Sequence, residues 1–280
     1  MKKTIISCVL FLTAVTAFSQ TPMKTAAEAK LSASDLAVKI ADRILATTTY
    51  EFKNTKTGKT YKSVKNLPLD MNVKVACKYN NWHYTNGVTH IALMELADKT
   101  GAKKYDDYVL KNMNFVFNEG NLDFFKKQYE QAMKNEGWYG VRKLSWHMIF
   151  RGKRLDDNGP MGASLIDLQM KHPNNSFLNY INETAEHLNY GEPRLADGTI
   201  ARIWPHENTI WADDAFMAIS FLARMAKMTG DMSYINDAAN QVIKYHKYLW
   251  CPEKRILYHC YHTDTDEHGV AHWSRANGWV

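Results

Sequence analysis

The sequence predicts an all-α fold built from helical hairpins, and three observations support this. Apolar residues recur at helical spacing along most of the chain. The alternation that is typical of strands is scarce. Two turns between helices share one signature, TGAKKY at residues 100–105 and TGDMSY at residues 229–234. In such a turn the glycine ends one helix in a left-handed conformation, and we expect the tyrosine to pack as the next helix begins.

The helical patterns predict eight helices. They cover approximately residues 35–47, 88–99, 103–118, 121–134, 159–171, 175–188, 213–228 and 231–249. Ser32 is placed to cap the first helix. Hairpins repeated about every 40 to 45 residues form either an open solenoid or a closed toroid.

Polar loops rich in aromatic residues follow alternate helices, which favours the toroid, since such loops would converge on a central pit. These loops are NWHY at residues 81–84, LDDNG at 155–159, WPHE at 204–207, WADD at 211–214 and HWSR at 272–275.

The N-terminus predicts a secretory signal peptide at residues 1–19. Two lysines precede an apolar run over residues 5–18, and Ala17 and Ser19 suit cleavage before Gln20. No segment approaches the roughly 20 apolar residues that a membrane span needs. We therefore expect an exported protein, secreted or periplasmic, with one domain over residues 20–280 and no membrane partner.

Charge and cysteine content narrow the class further. Loss of the signal peptide lowers the formal charge from +6 to +4. The sequence has no cluster of basic residues of the kind that predicts nucleic-acid binding. The excess of positive charge is weak support for an acidic substrate. No feature of the sequence indicates an oligomeric state. Cys77, Cys251 and Cys260 remain after export, which allows one disulfide, for which Cys251 with Cys260 is the favoured pair.

Two acidic pairs at helix starts are candidates for proton transfer: Asp156 with Asp157, and Asp213 with Asp214. Aspartate is common at such positions because it caps free N–H groups and favours the positive end of the helix dipole. An acid beside another acid and apolar neighbours has its proton affinity raised, whereas the helix dipole lowers it. Capping and catalysis are both compatible with this pattern.

The aromatic residues in these loops fit either a core or a sugar-stacking surface. Arg275 and Trp279 are four residues apart, so they share one face of a helix. A guanidinium binds a uronate carboxylate in bidentate fashion, although a surface salt bridge would also explain Arg275. The histidines at positions 259, 262, 268 and 272 do not repeat a metal-ligand spacing, and we predict no metal and no cofactor. No phosphate loop or Gly-x-Ser-x-Gly elbow occurs.

With these motifs the chain resembles the unsaturated glucuronyl and rhamnogalacturonyl hydrolases of glycoside hydrolase families 88 and 105. The matching segments are WHYTNG at residues 82–87, LDDNGPMG at 155–162, PRLADGT at 193–199, IWADDAFM at 210–217 and WSRANGW at 273–279. The resemblance implies an (α/α)6 barrel without a metal cofactor. It also implies release of a 4,5-unsaturated uronic acid from the non-reducing end of lyase products, by protonation and hydration of the C4=C5 double bond.

The resemblance assigns roles by motif position. Asp213 corresponds to the proton donor and Asp157 to the second carboxylate. The positions that correspond to substrate binding are Trp82, His83, Tyr84, His206, His259, Arg275, Asn277 and Trp279. An (α/α)6 barrel has twelve helices, so with eight predicted we expect residues 20–280 to form a C-terminally truncated barrel. Another (α/α)6 sugar enzyme, or an exported helical glycan-binding protein without catalysis, remains an alternative, and the source polysaccharide stays open.

Overall fold

The computed structural model of this chain describes residues 32–152 and 154–280, and the predicted signal peptide lies outside them. Its helices are α1 (Ala33–Thr47), α2 (Tyr84–Thr100), α3 (Lys104–Val116), α4 (Glu119–Val141), α5 (Leu155–Lys171), α6 (Asn175–Glu186), α7 (Ala212–Thr229), α8 (Met232–Leu249) and α9 (Ser274–Trp279). A 3₁₀ segment, His147–Arg151, precedes α5, and a π-helical turn, His187–Gly191, follows α6. All eight predicted helices are therefore confirmed, with α9 in addition. No described helix is long and apolar enough to cross a membrane.

The chain divides into two compact units, residues 1–42 and 43–280. Of the first unit the structure describes residues 32–42, which form the start of α1. Here the Asp35 N–H donates to the Ser32 hydroxyl at 3.1 Å, so the predicted cap is confirmed. All other elements belong to the second unit.

Both repeated turns have the predicted geometry. Gly101 and Gly230 adopt left-handed φ angles of 71° and 75°, and their N–H groups donate to the carbonyls four residues earlier. Tyr105 is buried, and Tyr234 is half-buried. The turns join α2 to α3 and α7 to α8 as packed hairpins, and α5 pairs with α6 in the same way.

Two glycines bring α2, α5 and α7 into backbone contact. A Cβ atom on Gly87 would overlap the backbone of Pro160, and one on Gly159 would overlap the carbonyl oxygen of Met217. Both contacts fall in the first two turns of the helices concerned. The three helices therefore begin side by side at one end, and this arrangement positions the candidate site.

The helix starts differ from the prediction. α5 begins at Leu155, because the N–H groups of Asp157 and Asn158 both donate to the Arg154 carbonyl. α2 begins at Tyr84, with the His83 ring accepting from the Thr85 N–H at 3.3 Å. In both helices, polar motif residues that were predicted to lie in a loop form part of the first helical turn.

Short strands, which the all-α prediction did not include, form three small antiparallel sheets. Their bounds are β1 (Phe52–Asn54), β2 (Thr60–Tyr61), β3 (Val73–Val75), β4 (Thr209–Trp211), β5 (Trp250–Cys251), β6 (Ile256–Leu257), β7 (Cys260–His262) and β8 (Glu267–His268). The sheet orders are β2-β1-β3, β4-β7-β8 and β5-β6. Segments of two or three residues are too short to show an alternating pattern, so sequence periodicity misses them.

The predicted disulfide between Cys251 and Cys260 is wrong. Both thiols are free and buried, and the thiol of Cys77 is free and half-buried. Cys251 lies on β5, where its thiol donates to Glu253 at 3.3 Å, and Cys260 lies on β7 in a different sheet.

Candidate active site

The two candidate carboxylates lie in the first turns of adjacent helices. Asp157 is the third residue of α5 and Asp213 the second residue of α7, and both are buried, at 6% and 7% exposed. The contact of Gly159 with Met217 holds the starts of these two helices together. The fold thus brings the two aspartates, 56 positions apart in the sequence, to the same end of a helix pair.

Asp213 contacts three groups that can carry an N–H. Its Oδ2 lies 3.0 Å from His259 Nε2, and its Oδ1 accepts a hydrogen bond from the Trp279 indole at 3.2 Å. The Arg275 guanidinium lies 3.8 Å from Oδ1. Each of these residues was assigned to the site from sequence, and the structure places all three around one carboxylate.

Strand pairing places His259 beside Asp213. β4 runs directly into α7, and it pairs with β7 in the register Trp211 with Cys260. The next hydrogen bond along joins the Ala212 N–H to the His259 carbonyl at 2.9 Å. This strand ladder, which the sequence did not predict, makes His259 and Asp213 neighbours.

The short helix α9 brings Arg275 and Trp279 to the site on one face, as their spacing predicts. It packs against α7, where the Trp279 ring lies 5.3 Å from the Phe216 ring. Arg275 is half-exposed, and its guanidinium lies 5.8 Å from the ring centre of Tyr84 and 5.4 Å from that of Trp273. It therefore faces the candidate acid from an open side, as a group that binds an incoming anion would.

Burial dominates the electrostatics of Asp157 and raises its pKa to about 6; the neighbouring Arg151 cation opposes this shift, and Asp156 adds to it. The Arg151 guanidinium lies 3.4 Å from Oδ2 and is stacked on the Trp138 ring at 3.9 Å. Within the described residues Oδ2 accepts no hydrogen bond. This oxygen is shielded from solvent, and the Arg151 cation is its charged neighbour.

Asp157 lines a cleft of about 930 Å³. The cleft walls are mainly aromatic and cationic, with Trp138, Trp204, Arg142, Arg151 and Arg154 among the lining residues. The Arg154 guanidinium lies 4.9 Å from the ring centre of Trp204. Such walls suit the apolar faces of sugar rings and negatively charged substituents.

Tyr84 connects the cleft with the surroundings of Asp213. Its ring lines the cleft and lies 6.3 Å from the Trp279 ring. His83 lines the cleft beside it, with its Nδ1 2.8 Å from the Thr85 hydroxyl. Burial lowers the pKa of His83, with Asp156 opposing and Arg275 adding to the effect, so its ring is neutral at pH 7.

Three predicted binding residues are placed elsewhere. Trp82 is 1% exposed, and its indole donates to the Asp157 carbonyl at 2.9 Å, so it supports the start of α5 from the core. The side-chain oxygen of Asn277 accepts from the Leu257 N–H at 2.7 Å, and its side-chain nitrogen donates to the Leu257 carbonyl at 3.0 Å. His206 is exposed and lies against His262. The structure thus corrects the expectation of direct substrate contact for Trp82 and Asn277, and it does not bring His206 to the cleft.

His268 and His272, in the C-terminal segment, both lie against the ring of Tyr258, at 4.2 and 4.6 Å. His268 Nε2 lies 2.8 Å from the Tyr248 carbonyl, and His272 Nδ1 lies 3.1 Å from the Leu257 carbonyl. Among the residues that the structure describes, no group of three or more histidine, cysteine, aspartate or glutamate side chains could hold a metal ion.

Sequence reasoning missed Arg202. Its guanidinium makes two hydrogen bonds to Asp214, at 2.6 and 2.7 Å, and one to Asp156 at 3.2 Å. It also missed Glu192, which lies 2.9 Å from His187. Burial raises the pKa of Glu192 to about 8, and Asp214 adds to this. Both residues lie in irregular segments without a motif, so no sequence signal marks them.

Comparison with known proteins supports the motif-based resemblance. Residues 56–280 match the family model described as Glycosyl Hydrolase Family 88. The chain belongs to Glycosyl Hydrolase Family 88. The unsaturated rhamnogalacturonyl hydrolase YesR of Bacillus subtilis is 26% identical over 188 residues, which is 60% of this chain and 52% of that protein.

Solved structures similar to this family 88 chain show the same fold. A family 105 glycoside hydrolase of C. acetobutylicum matches with a TM-score of 0.58 and 21% identity, over 89% of this chain and 56% of that one. A possible family 105 member of Klebsiella pneumoniae matches with a TM-score of 0.56 and 16% identity, over 90% and 57%. The chain therefore spans about half the length of the relatives it matches.

Proposed function

We propose that this protein is a glycoside hydrolase that removes a 4,5-unsaturated uronic acid from the non-reducing end of oligosaccharides made by polysaccharide lyases. Family membership and the name of the Bacillus subtilis relative support the reaction class. The observation that carries the proposal is the setting of Asp213, a buried carboxylate in contact with His259, Trp279 and Arg275. A proton donor and a uronate-binding cation are adjacent there.

In the proposed reaction, protonated Asp213 transfers its proton to C4 of the double bond, and positive charge develops at C5 and the ring oxygen. Water adds to C5, and its proton passes to the Asp213 carboxylate. The C5 hemiketal then opens to a ketone. This leaves C1 as a hemiacetal, which expels the next sugar. A positioned carboxylic acid of this kind contributes on the order of 10² to 10⁴ in rate.

Asp157 is proposed to hold the sugar ring and to stabilise the developing charge. The support for this role is that Asp157 lines the cleft, where Arg151 lies 3.4 Å from its Oδ2. With a pKa raised to about 6, the group is largely ionised at pH 7. Arg275 is proposed to bind the uronate carboxylate, because a guanidinium fork matches the two oxygens of that group.

The finer points of architecture and location belong to the same proposal. The packed hairpins α2–α3, α5–α6 and α7–α8 are proposed to be part of an (α/α)6 barrel. The features of residues 1–19 support export as a secreted or periplasmic protein.

The test is incubation of the protein with lyase digests of pectin, a glycosaminoglycan and an algal sulfated polysaccharide. Hydration removes the conjugated double bond, so its ultraviolet absorbance falls as the reaction proceeds. The digest that loses absorbance fastest identifies the source of the substrate. Binding of the oligosaccharides with no loss of absorbance from any digest would contradict the hydrolase and favour a glycan-binding protein.

A further inference from the structure

Arg202 connects the first turns of the two helices that carry the candidate carboxylates. Its Nε and one terminal nitrogen donate to the two oxygens of Asp214, at 2.7 and 2.6 Å, and the same terminal nitrogen donates to Asp156 at 3.2 Å. Asp214 lies on α7 and Asp156 on α5. One guanidinium thus bridges two helices.

Each partner of Arg202 is the immediate chain neighbour of a candidate catalytic residue. Asp156 precedes Asp157, and Asp214 follows Asp213. We propose that Arg202 is a positioning residue, which fixes the distance and orientation between Asp157 and Asp213 through these two neighbours. The proposal rests on the proposed function and explains why each motif contains two aspartates.

The contacts argue against a direct role for Asp214 in the chemistry. Both oxygens of Asp214 accept from Arg202, and its side chain is 2% exposed and does not line the cleft that contains Asp157. The Arg202 guanidinium also lies 5.0 Å from the ring centre of Trp211, which restricts it from another side. The arm of the bridge to Asp214 is therefore buried and directional, whereas Asp156 is 31% exposed and itself lines the cleft.

Helices α5 and α7 do not need the Arg202 bridge in order to pack. The starts of α5 and α7 already meet at Gly159 and Met217. A backbone contact sets the separation of two helices but leaves small sliding and rotation open, whereas a planar fork fixes direction. Displacement of reacting groups by about 1 Å costs about 10²-fold in rate. The expected consequence of losing the bridge is a catalytic defect.

A second bidentate pair in the same segment serves as the matched control. Arg194 donates to both oxygens of Asp237, at 3.0 and 2.8 Å, and its side chain is 24% exposed against 22% for Arg202. Asp237 lies on α8, so this pair does not touch the starts of α5 and α7. Lysine in either position keeps the charge and removes the fork.

The first experiment compares the kinetics of Arg202→Lys and Arg194→Lys on the unsaturated substrate. We expect Arg202→Lys to lower kcat by about 10²-fold with a KM that changes much less, and Arg194→Lys to leave kcat near that of the parent at a similar thermal midpoint. Equal effects of the two variants on kcat and on the midpoint would reduce Arg202 to a structural role and overturn the proposal.

The second experiment does not depend on activity. Aspartate side chains labelled with carbon-13 are observed by NMR, and we expect Arg202→Lys to move the carboxyl resonances of both Asp157 and Asp213, while Arg194→Lys moves neither. Unmoved resonances in Arg202→Lys would overturn the bridge. If the parent protein processes no unsaturated oligosaccharide, the proposed function fails, yet these spectra still decide the positioning.

A third variant covers the case in which Arg202→Lys does not fold, because it could leave the buried Asp214 carboxylate poorly paired. Asp156→Asn weakens only the bond to α5 and keeps an acceptor oxygen, and the Asp156 side chain is 31% exposed. We expect Asp156→Asn to lower kcat more than Asp237→Asn, which removes the corresponding carboxylate from Arg194, at a similar thermal midpoint. Equal effects of the two variants on kcat would contradict a bridge with one arm on α5.

Discussion

The indole N–H of Trp279 donates to Oδ1 of Asp213 at 3.2 Å, and this bond joins the last described helix to the start of α7. It occupies one oxygen of the candidate acid, while His259 lies 3.0 Å from the other. The carboxyl group of Asp213 is consequently held in a defined orientation.

Asp213→Asn should abolish nearly all hydrolysis while leaving substrate binding largely intact. The amide keeps the shape of the carboxyl group but has no proton to give, so we expect a loss on the order of 10² to 10⁴ in kcat. Asp231→Asn is the matched control, because Asp231 also stands at a helix start, where it caps α8. If Asp213→Asn kept more than about a tenth of the parent rate, Asp213 would not be the proton donor.

Asp157→Asn should lose activity to a comparable extent, and weaker substrate binding is expected as well. In the same measurement Asp156→Asn should be clearly less damaging, since the Asp156 side chain is engaged by Arg202 and the asparagine keeps an acceptor oxygen for that bond. The reverse order of the two variants would assign the catalytic role to Asp156.

Asp157→Asn should also make the protein more stable at neutral pH. Burial raises the pKa of Asp157 from 3.8 to about 6, so the folded state binds the proton more tightly than the unfolded state does. The penalty for the ionised carboxylate is fully present above pH 6 and disappears as the pH falls below about 4. At about 1.4 kcal/mol per pKa unit, it amounts to roughly 3 kcal/mol, and the opposing effect of Arg151 is already contained in this pKa.

Urea denaturation of the parent and of Asp157→Asn at pH 7 and pH 4 tests this point. The variant should have the higher free energy of unfolding at pH 7, and the difference should shrink at pH 4. A variant that is less stable at pH 7 would show that the pair with Arg151 outweighs the cost of burial.

Arg275→Lys should raise KM clearly, because a point charge replaces a planar fork that fits the uronate carboxylate. The side chain is half-exposed and lies 3.8 Å from Asp213, so the change should leave the fold intact. Steady-state kinetics on the best lyase digest give the comparison. Kinetics equal to those of the parent would make Arg275 a surface ion-pair residue.

Sequence reasoning located the helices and the two aspartates because those signals are local. The cap at Gly101, the paired aspartates at 156–157 and 213–214, and the spacing of Arg275 and Trp279 each lie within a few residues of one another. Helical periodicity and capping chemistry are sufficient to recognise such patterns.

The contacts that the sequence did not reveal join distant segments. Arg202 and Asp156 are 46 residues apart, and His259 and Asp213 are also 46 residues apart. The second pair depends on a three-residue strand pairing that leaves no periodic pattern. Trp82 shows the complementary difficulty, because a motif tryptophan looks the same whether its ring faces a ligand or, as here, the core.

The pairing of β4 with β7 has a further consequence for dynamics. The aspartates are fixed by backbone contact between long helices, whereas His259 is held beside Asp213 by a ladder of three residue pairs. In β7 only Cys260 is buried, with Tyr261 and His262 half-buried, and short, partly exposed ladders open at lower free energy than packed helices. Amide hydrogen exchange should therefore be faster in β7 than in the first half of α7, with the histidine side of the site separating from the acid before the helices do.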